Sequence, residues 1–136
     1  MKRLMTTLAA IAMTTSAALA DDYFGLDKME VAWIAKIQGA SFVARKCSDD
    51  YEFDVAGAMR WGDQNGVDVR HITESLAAVG KSEKGQDYDR SAIDPRVTRA
   101  FNAINQGFEE IPQRDLAKTC KQYIEVSLRD GFMKKK

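Results

Sequence analysis

The chain has 136 residues, of which 45% are hydrophobic and 29% charged, with 20 basic and 20 acidic side chains. That balance is the one of an ordinary globular protein and excludes a disordered chain. A net charge of zero also argues against a dedicated nucleic-acid binder.

The first twenty residues read as a secretory signal peptide. Lys2 and Arg3 precede an uncharged, apolar or small stretch from Leu4 to Ala18, and Ala18-Leu19-Ala20 is a small-x-small cleavage signal. The apolar run is too short and too rich in Thr and Ala for a membrane span. No cysteine stands at the cleavage site to take a lipid anchor, and Arg-Arg is absent, so the general secretory route is expected. Removing the first 20 residues leaves 116, with 18 basic against 20 acidic side chains, enough for a single helical domain over 21–136. The expected location is the periplasm, or alternatively the medium, with no membrane anchor.

Asp27 followed by Glu30 reads as a capping box opening the first helix. Met29, Trp33, Ile37, Ala40, Ala44 and Cys47 then step by three or four along one face, with Lys36, Ser41 and Arg45 opposite. Gly39 and Ala40 thin the helix and imply close packing or a crevice. Ser48-Asp49-Asp50 breaks it. A shorter helical pattern runs from Tyr51 to Gln64, with Val55, Ala58 and Met59 as inward candidates, and Asn65-Gly66 stops it. Asp68 caps a third helix with Val69, Ile72, Leu76 and Val79 inward and Gly80 as its end. Lys81 to Ser91 lacks apolar rhythm and reads as a surface connector. Asp94-Pro95 starts the fourth helix, whose buried stripe is Val97, Phe101, Ile104 and Phe108. Ile111-Pro112 closes that helix. The last carries Leu116, Cys120, Ile124 and Leu128, with Gly131 at its C-terminal end. No stretch alternates with period two for long enough to suggest a sheet. Lys134-Lys135-Lys136 reads as a solvated tail.

The expected fold is therefore all-α, a small bundle of about five helices. Cys47 and Cys120 are the two cysteines, 73 positions apart, and both lie on apolar stripes. In an exported chain they are expected to form a disulfide joining the first and last helices. Neither Cys-x-x-Cys redox spacing nor a zinc ligand set is present.

Catalytic chemistry finds little support. His71 is the one histidine, and the sequence identifies no partner for it. Asp63 to Asp68 resembles part of a calcium loop, but that alignment puts Trp61 and Ile72 at ligand positions and fails. Asp87, Asp89 and Asp94 form a looser acidic set, read as a solvated loop. Glu109-Glu110 point about 100° apart on a helix and make no acid/base pair. No metal and no cofactor are expected.

Four readings follow. The first is an exported, non-catalytic interaction protein (an accessory subunit, inhibitor, immunity protein or envelope-stress factor) whose partner is another envelope protein. Its candidate contacts are Arg60, Trp61, Asp87, Tyr88 and Asp89, against a reading of Trp61 as a tryptophan partly covering the core. The second rests on layout: signal peptide, small helical domain and one disulfide together resemble, in outline, the HdeA-type acid-stress chaperones of the periplasm. That resemblance implies a chain that loosens at low pH and exposes apolar faces. The third is a small-ligand carrier, with room between helices at Gly39, Ala40 and Gly57. The fourth is an enzyme built on carboxylates alone.

Overall fold

A computed structural model describes residues 23–136. The expected export signal at residues 1–20 lies outside the described residues. In chain order the elements are α1 (Lys28–Lys46), β1 (Tyr51–Phe53), α2 (Val55–Gln64), α3 (Val69–Glu83), α4 (Pro95–Glu109), α5 (Leu116–Arg129) and β2 (Met133–Lys135). Short 3-10 turns at Arg90–Ala92 and Gln113–Asp115 precede α4 and α5. Among the described residues the fold is all-α with five α-helices, as the periodicity implies.

Helix α1 is central, packed by α2, α4, α5 and β1. It opens with the expected capping box: Asp27 Oδ2 accepts from the Met29 amide at 2.9 Å, and Glu30 accepts from the Asp27 amide at 3.0 Å. Such a cap contributes about 1 kcal/mol. Because neighbours surround it, α1 buries more than one stripe. Trp33, Ile34, Ala40, Phe42 and Val43 are all in the core, whereas Ala44, expected inside, is exposed.

The disulfide is present. Cys47 and Cys120 are bonded with their Cα atoms 5.5 Å apart, joining the end of α1 to α5. Beside it Phe42, Phe108 and Tyr123 form an aromatic cluster with ring centroids 5.0–6.3 Å apart. Gly39 lies directly under the Tyr123 ring, and a Cβ there would sit 3.0 Å from it. Close packing, not a crevice, accounts for that glycine.

Several boundaries differ from expectation. Residues 51–53 form a strand, not the start of a helix, and pair antiparallel with β2: Tyr51 opposite Lys135, Glu52 opposite Lys134, Phe53 opposite Met133. Lys134 and Lys135 therefore belong to a strand, and the Lys136 amide donates to the Asp50 carbonyl. Three-residue strands carry no readable period, so pairing across the chain decided them. Helix α2 instead starts at Val55, with Asp54 accepting from the Gly57 amide. Helix α3 runs through Gly80 to Glu83, so the connector is shorter than residues 81–91. Gly80 keeps helical geometry because nothing there demands a left-handed turn.

Two helix ends share one device. After α2, Gly66 takes φ +69 and the Val67 amide donates back to the Gly62 carbonyl at 2.9 Å. After α5, Gly131 takes φ +79 and the Phe132 amide donates to the Ser127 carbonyl at 2.9 Å. Both are Schellman closures, which need a residue free to adopt positive φ and tuck the following apolar side chain inward. Val67 and Phe132 are both buried accordingly.

Candidate functional site

The short helix α2 is pinned from inside by backbone contact. Gly57 lies against the turn at Gly131, where an added Cβ would fall 1.8 Å from the Gly131 carbonyl oxygen. Trp33 of α1 donates its indole N–H to the Ala58 carbonyl at 2.9 Å, within the core. Gly62 lies against Val69. Small residues thus occupy the inner face of α2, and its larger apolar residues turn outward. Val55 and Met59, expected inside, are 63% and 41% exposed. Spaced four apart, they are neighbours on one helix face. Phe53, also exposed, ends the strand just before them, and Arg60 is exposed beside Met59. Leu128, expected inside α5, is exposed because Ser127 takes the core position.

Trp61 is half-buried. Its ring meets Phe132 edge-on with centroids 5.8 Å apart, and Lys36 Nζ lies 5.2 Å from its centroid. Lys36 in turn pairs with Asp130 at 2.6 Å. Burial pushes the Asp130 carboxyl upward, but hydrogen bonds from Lys36 and Arg129 outweigh it and leave the group below its usual range. Trp61 therefore covers the core. The other candidate contacts lie in the connector after α3. Asp87 and Asp89 are exposed and Tyr88 is half-buried. Asp89 caps the short turn by accepting from the Ser91 amide and hydroxyl at 2.9 and 2.6 Å, which lower its carboxyl. Hydrogen bonding with Ser82, then Arg90, lowers the Tyr88 hydroxyl.

His71 has a partner that the sequence did not reveal. Its Nε2 lies 2.8 Å from Asp94 Oδ2, although the two residues are 23 positions apart. Asp94 also caps α4 through the Arg96 amide, and Arg96 Nη2 reaches the same Oδ2 at 2.7 Å. The Asp94 amide donates to Ser75, which is fully buried. Arg96 is the main cause that holds the Asp94 carboxyl far below the ordinary range; burial opposes it, and His71 adds to it. Arg96 also donates to the Gly25 carbonyl at 3.0 Å. This network ties α3, α4 and the turn before α1 together. Asp94 is spent within it, so it does not join Asp87 and Asp89. Among the described residues, no group of three or more His, Cys, Asp or Glu side chains is arranged to hold a metal ion.

A groove of about 660 Å³ is walled by α1, α4 and α5. Ala32, Ala35 and Gly107 line it, with Phe108 and Val126, and the Lys36–Asp130 pair borders it. A smaller depression of about 410 Å³ lies on another face of α1, between Phe53 and Phe101. Neither is at Gly39 or Gly57, where packing leaves no room. Sequence reading missed Gly107 and the Lys36–Asp130 pair. An isolated glycine inside a strongly amphipathic helix was the available signal for the first.

No family model matches the chain, and no match is found among curated proteins or solved structures. Among the described residues, no helix is long and apolar enough to cross a membrane.

Proposed function

We propose that this chain is an exported, non-catalytic interaction protein of the cell envelope, and that it docks another envelope protein through the outer face of α2. Export is supported by the character of residues 1–20 and by the Cys47–Cys120 disulfide, a bond that persists in oxidising compartments. The docking role rests on one observation. Val55 and Met59 stand outward on a helix whose inner face is fixed by glycine-to-backbone contact. A helix held this way cannot turn its apolar residues inward, so they remain available. An exposed apolar cluster beside an arginine suits an interface centre.

The test is affinity capture from periplasmic extract of the native host. Wild type is compared with Val55→Asp/Met59→Asp and with Trp61→Ala. The double variant is expected to lose a partner that wild type retains while keeping the wild-type circular dichroism and melting temperature. Equal recovery of that partner by the double variant refutes the α2 face as the docking surface.

A further inference from the structure

The two helix-closing turns share a backbone and differ in what holds them. Each sets a side-chain carbonyl carbon one residue before a glycine: Asn65 before Gly66 after α2, and Asp130 before Gly131 after α5. In such a pair the glycine nitrogen can attack that carbon, because glycine has no side chain to obstruct the approach. The turn after α5 is fastened from far along the chain. Asp130 bonds to Lys36 at 2.6 Å, Gly131 lies against Gly57, and the Phe132 carbonyl accepts from the Asp54 amide at 2.9 Å. The hydrogen bonds of the turn after α2 all fall within residues 61–67. Asn65 Nδ2 donates to the Trp61 carbonyl at 2.8 Å, the Gly66 amide reaches the Asp63 carbonyl at 3.4 Å, and the Val67 amide returns to Gly62 at 2.9 Å. The buried Val67 side chain is its anchor in the core. Gly66 itself is exposed, with nothing within 4 Å of where a Cβ would stand. Helix ends fastened by local bonds open at low cost.

Asn65 stands at ψ 12°, which turns the Gly66 nitrogen away from the Asn65 side-chain carbon. Ring closure needs rotation about that bond, and so a brief opening of the turn. We propose that Asn65 is a self-modifying site, at which opening of the α2 closure gates conversion of its amide to a carboxylate. The Gly66 nitrogen gives up its proton and bonds to Asn65 Cγ. The Cγ–Nδ2 bond breaks and ammonia leaves with that proton. Water then adds to either carbonyl of the resulting imide ring and opens it, giving aspartate, or isoaspartate in which the main chain runs through the former side chain. Both products loosen α2. A carboxylate cannot donate to the Trp61 carbonyl, and it sets a negative charge at the negative end of the helix. Isoaspartate lengthens the main chain between Gly62 and Val67 by a methylene, so the bond between them loses its register. Asp130 is spared despite its glycine: an ionised carboxylate is a weak electrophile, and Lys36 and Arg129 hold it in place.

Peptide mass mapping of the oxidised protein, incubated in mildly alkaline buffer with and without unfolding urea, tests this. The chain carries its own controls in Asn102 and Asn105, which lie inside α4 and precede Ala103 and Gln106. In the folded protein Asn65 is expected to convert while Asn102, Asn105 and Asp130 stay unchanged. Unfolding should speed its conversion about tenfold or more, by removing the opening step. Val67→Ala, which weakens the anchor of the turn, should speed it several-fold without urea. Gly62→Ala, which presses on Val69 beside the same closure, serves if the first variant does not fold. The converted fraction, separated by anion exchange, should melt a few degrees below the unmodified chain. Four results would each overturn the proposal. One is an Asn65 left intact in the folded protein over many half-lives of the unfolded sample. Another is conversion of Asn102 or Asn105 as fast as Asn65. The third is a rate that neither urea nor the turn variant changes, which would remove the gate. The last is a converted fraction that melts like the unmodified chain. None of these readouts involves a captured partner, so the α2 docking face stands or falls separately.

Discussion

The inner contact of α2 and the groove between α1, α4 and α5 are built with the same residue to opposite ends. At Gly57 the missing side chain lets one backbone rest on another, with the Gly131 carbonyl in the space a Cβ would take. At Gly107 the missing side chain leaves space that nothing fills. Both glycines cost helix stability. Only the first recovers that cost in packing. One region is closed by contact and the other borders a groove, and the disulfide belongs to the second because it ties α1 to α5.

The strongest way to break this contrast is to remove the tie. For a loop of 73 residues the chain-entropy model assigns the disulfide roughly 4 kcal/mol, a model-dependent figure. Cys47→Ser/Cys120→Ser is expected to lose about that much in urea unfolding. Native-state hydrogen exchange should accelerate more in α5 than in α2, because Trp33 also holds α2 to α1 independently of the bond. Equal acceleration in both helices would show that the two regions are one cooperative unit.

Gly57→Ala attacks the closed region. A Cβ placed 1.8 Å from a backbone oxygen forces α2 or the Gly131 turn to move. The expected loss is about 3 kcal/mol, the upper part of the usual overpacking range. Gly62→Ala should cost less, about 1 kcal/mol, because its nearest neighbour is a Val69 methyl that can shift. Thermal or urea melts give both values, and a Gly57→Ala cost no larger than that of Gly62→Ala would show the α2 contact to be soft.

Much of the fold was legible because its signals are local. Asp27, Asp68 and Asp94-Pro95 mark helix starts through bonds that span two or three residues. Gly66 and Gly131 mark helix ends for the same reason. The disulfide followed from two cysteines on apolar stripes in a chain with an export-like start. What was hidden depends on which neighbour arrives. Val55 and Met59 follow an inward rhythm, yet the inner face of α2 must touch a backbone turn some 70 residues later, and only glycine allows that. His71 meets Asp94 because the first turns of α3 and α4 come together, which no spacing within either helix records. The short sheet joins segments from distant parts of the chain.

The Asp94 network asks whether a polar lock, and not packing alone, sets where α4 stands as a groove wall. Asp94→Asn keeps a competent N-cap but removes the charge shared by Arg96 and His71. The expected loss at neutral pH is about 2 kcal/mol, the scale of hydrogen bonds to a charged group. The sign with pH follows from the lowered carboxyl. Its stabilisation is complete above the unfolded value of about 4 and declines as pH falls below it toward the folded value. The gap between wild type and Asp94→Asn should therefore be constant from neutral pH down to about 5 and narrow in stronger acid. Urea midpoints measured across that range check it, and a gap that widened below pH 4 would place the acid-sensitive group elsewhere.

The smallest expected effect separates the two glycines most cleanly. Gly107→Ala adds a methyl group where nothing stands within 4 Å and removes the entropic cost of glycine in a helix. It should raise stability by about 0.5–1 kcal/mol, opposite in sign to Gly57→Ala. A destabilised Gly107→Ala would mean that α4 packs more tightly at that position than an open wall allows. The distinction between a glycine that admits a neighbour and one that meets none would then fail at its simplest point.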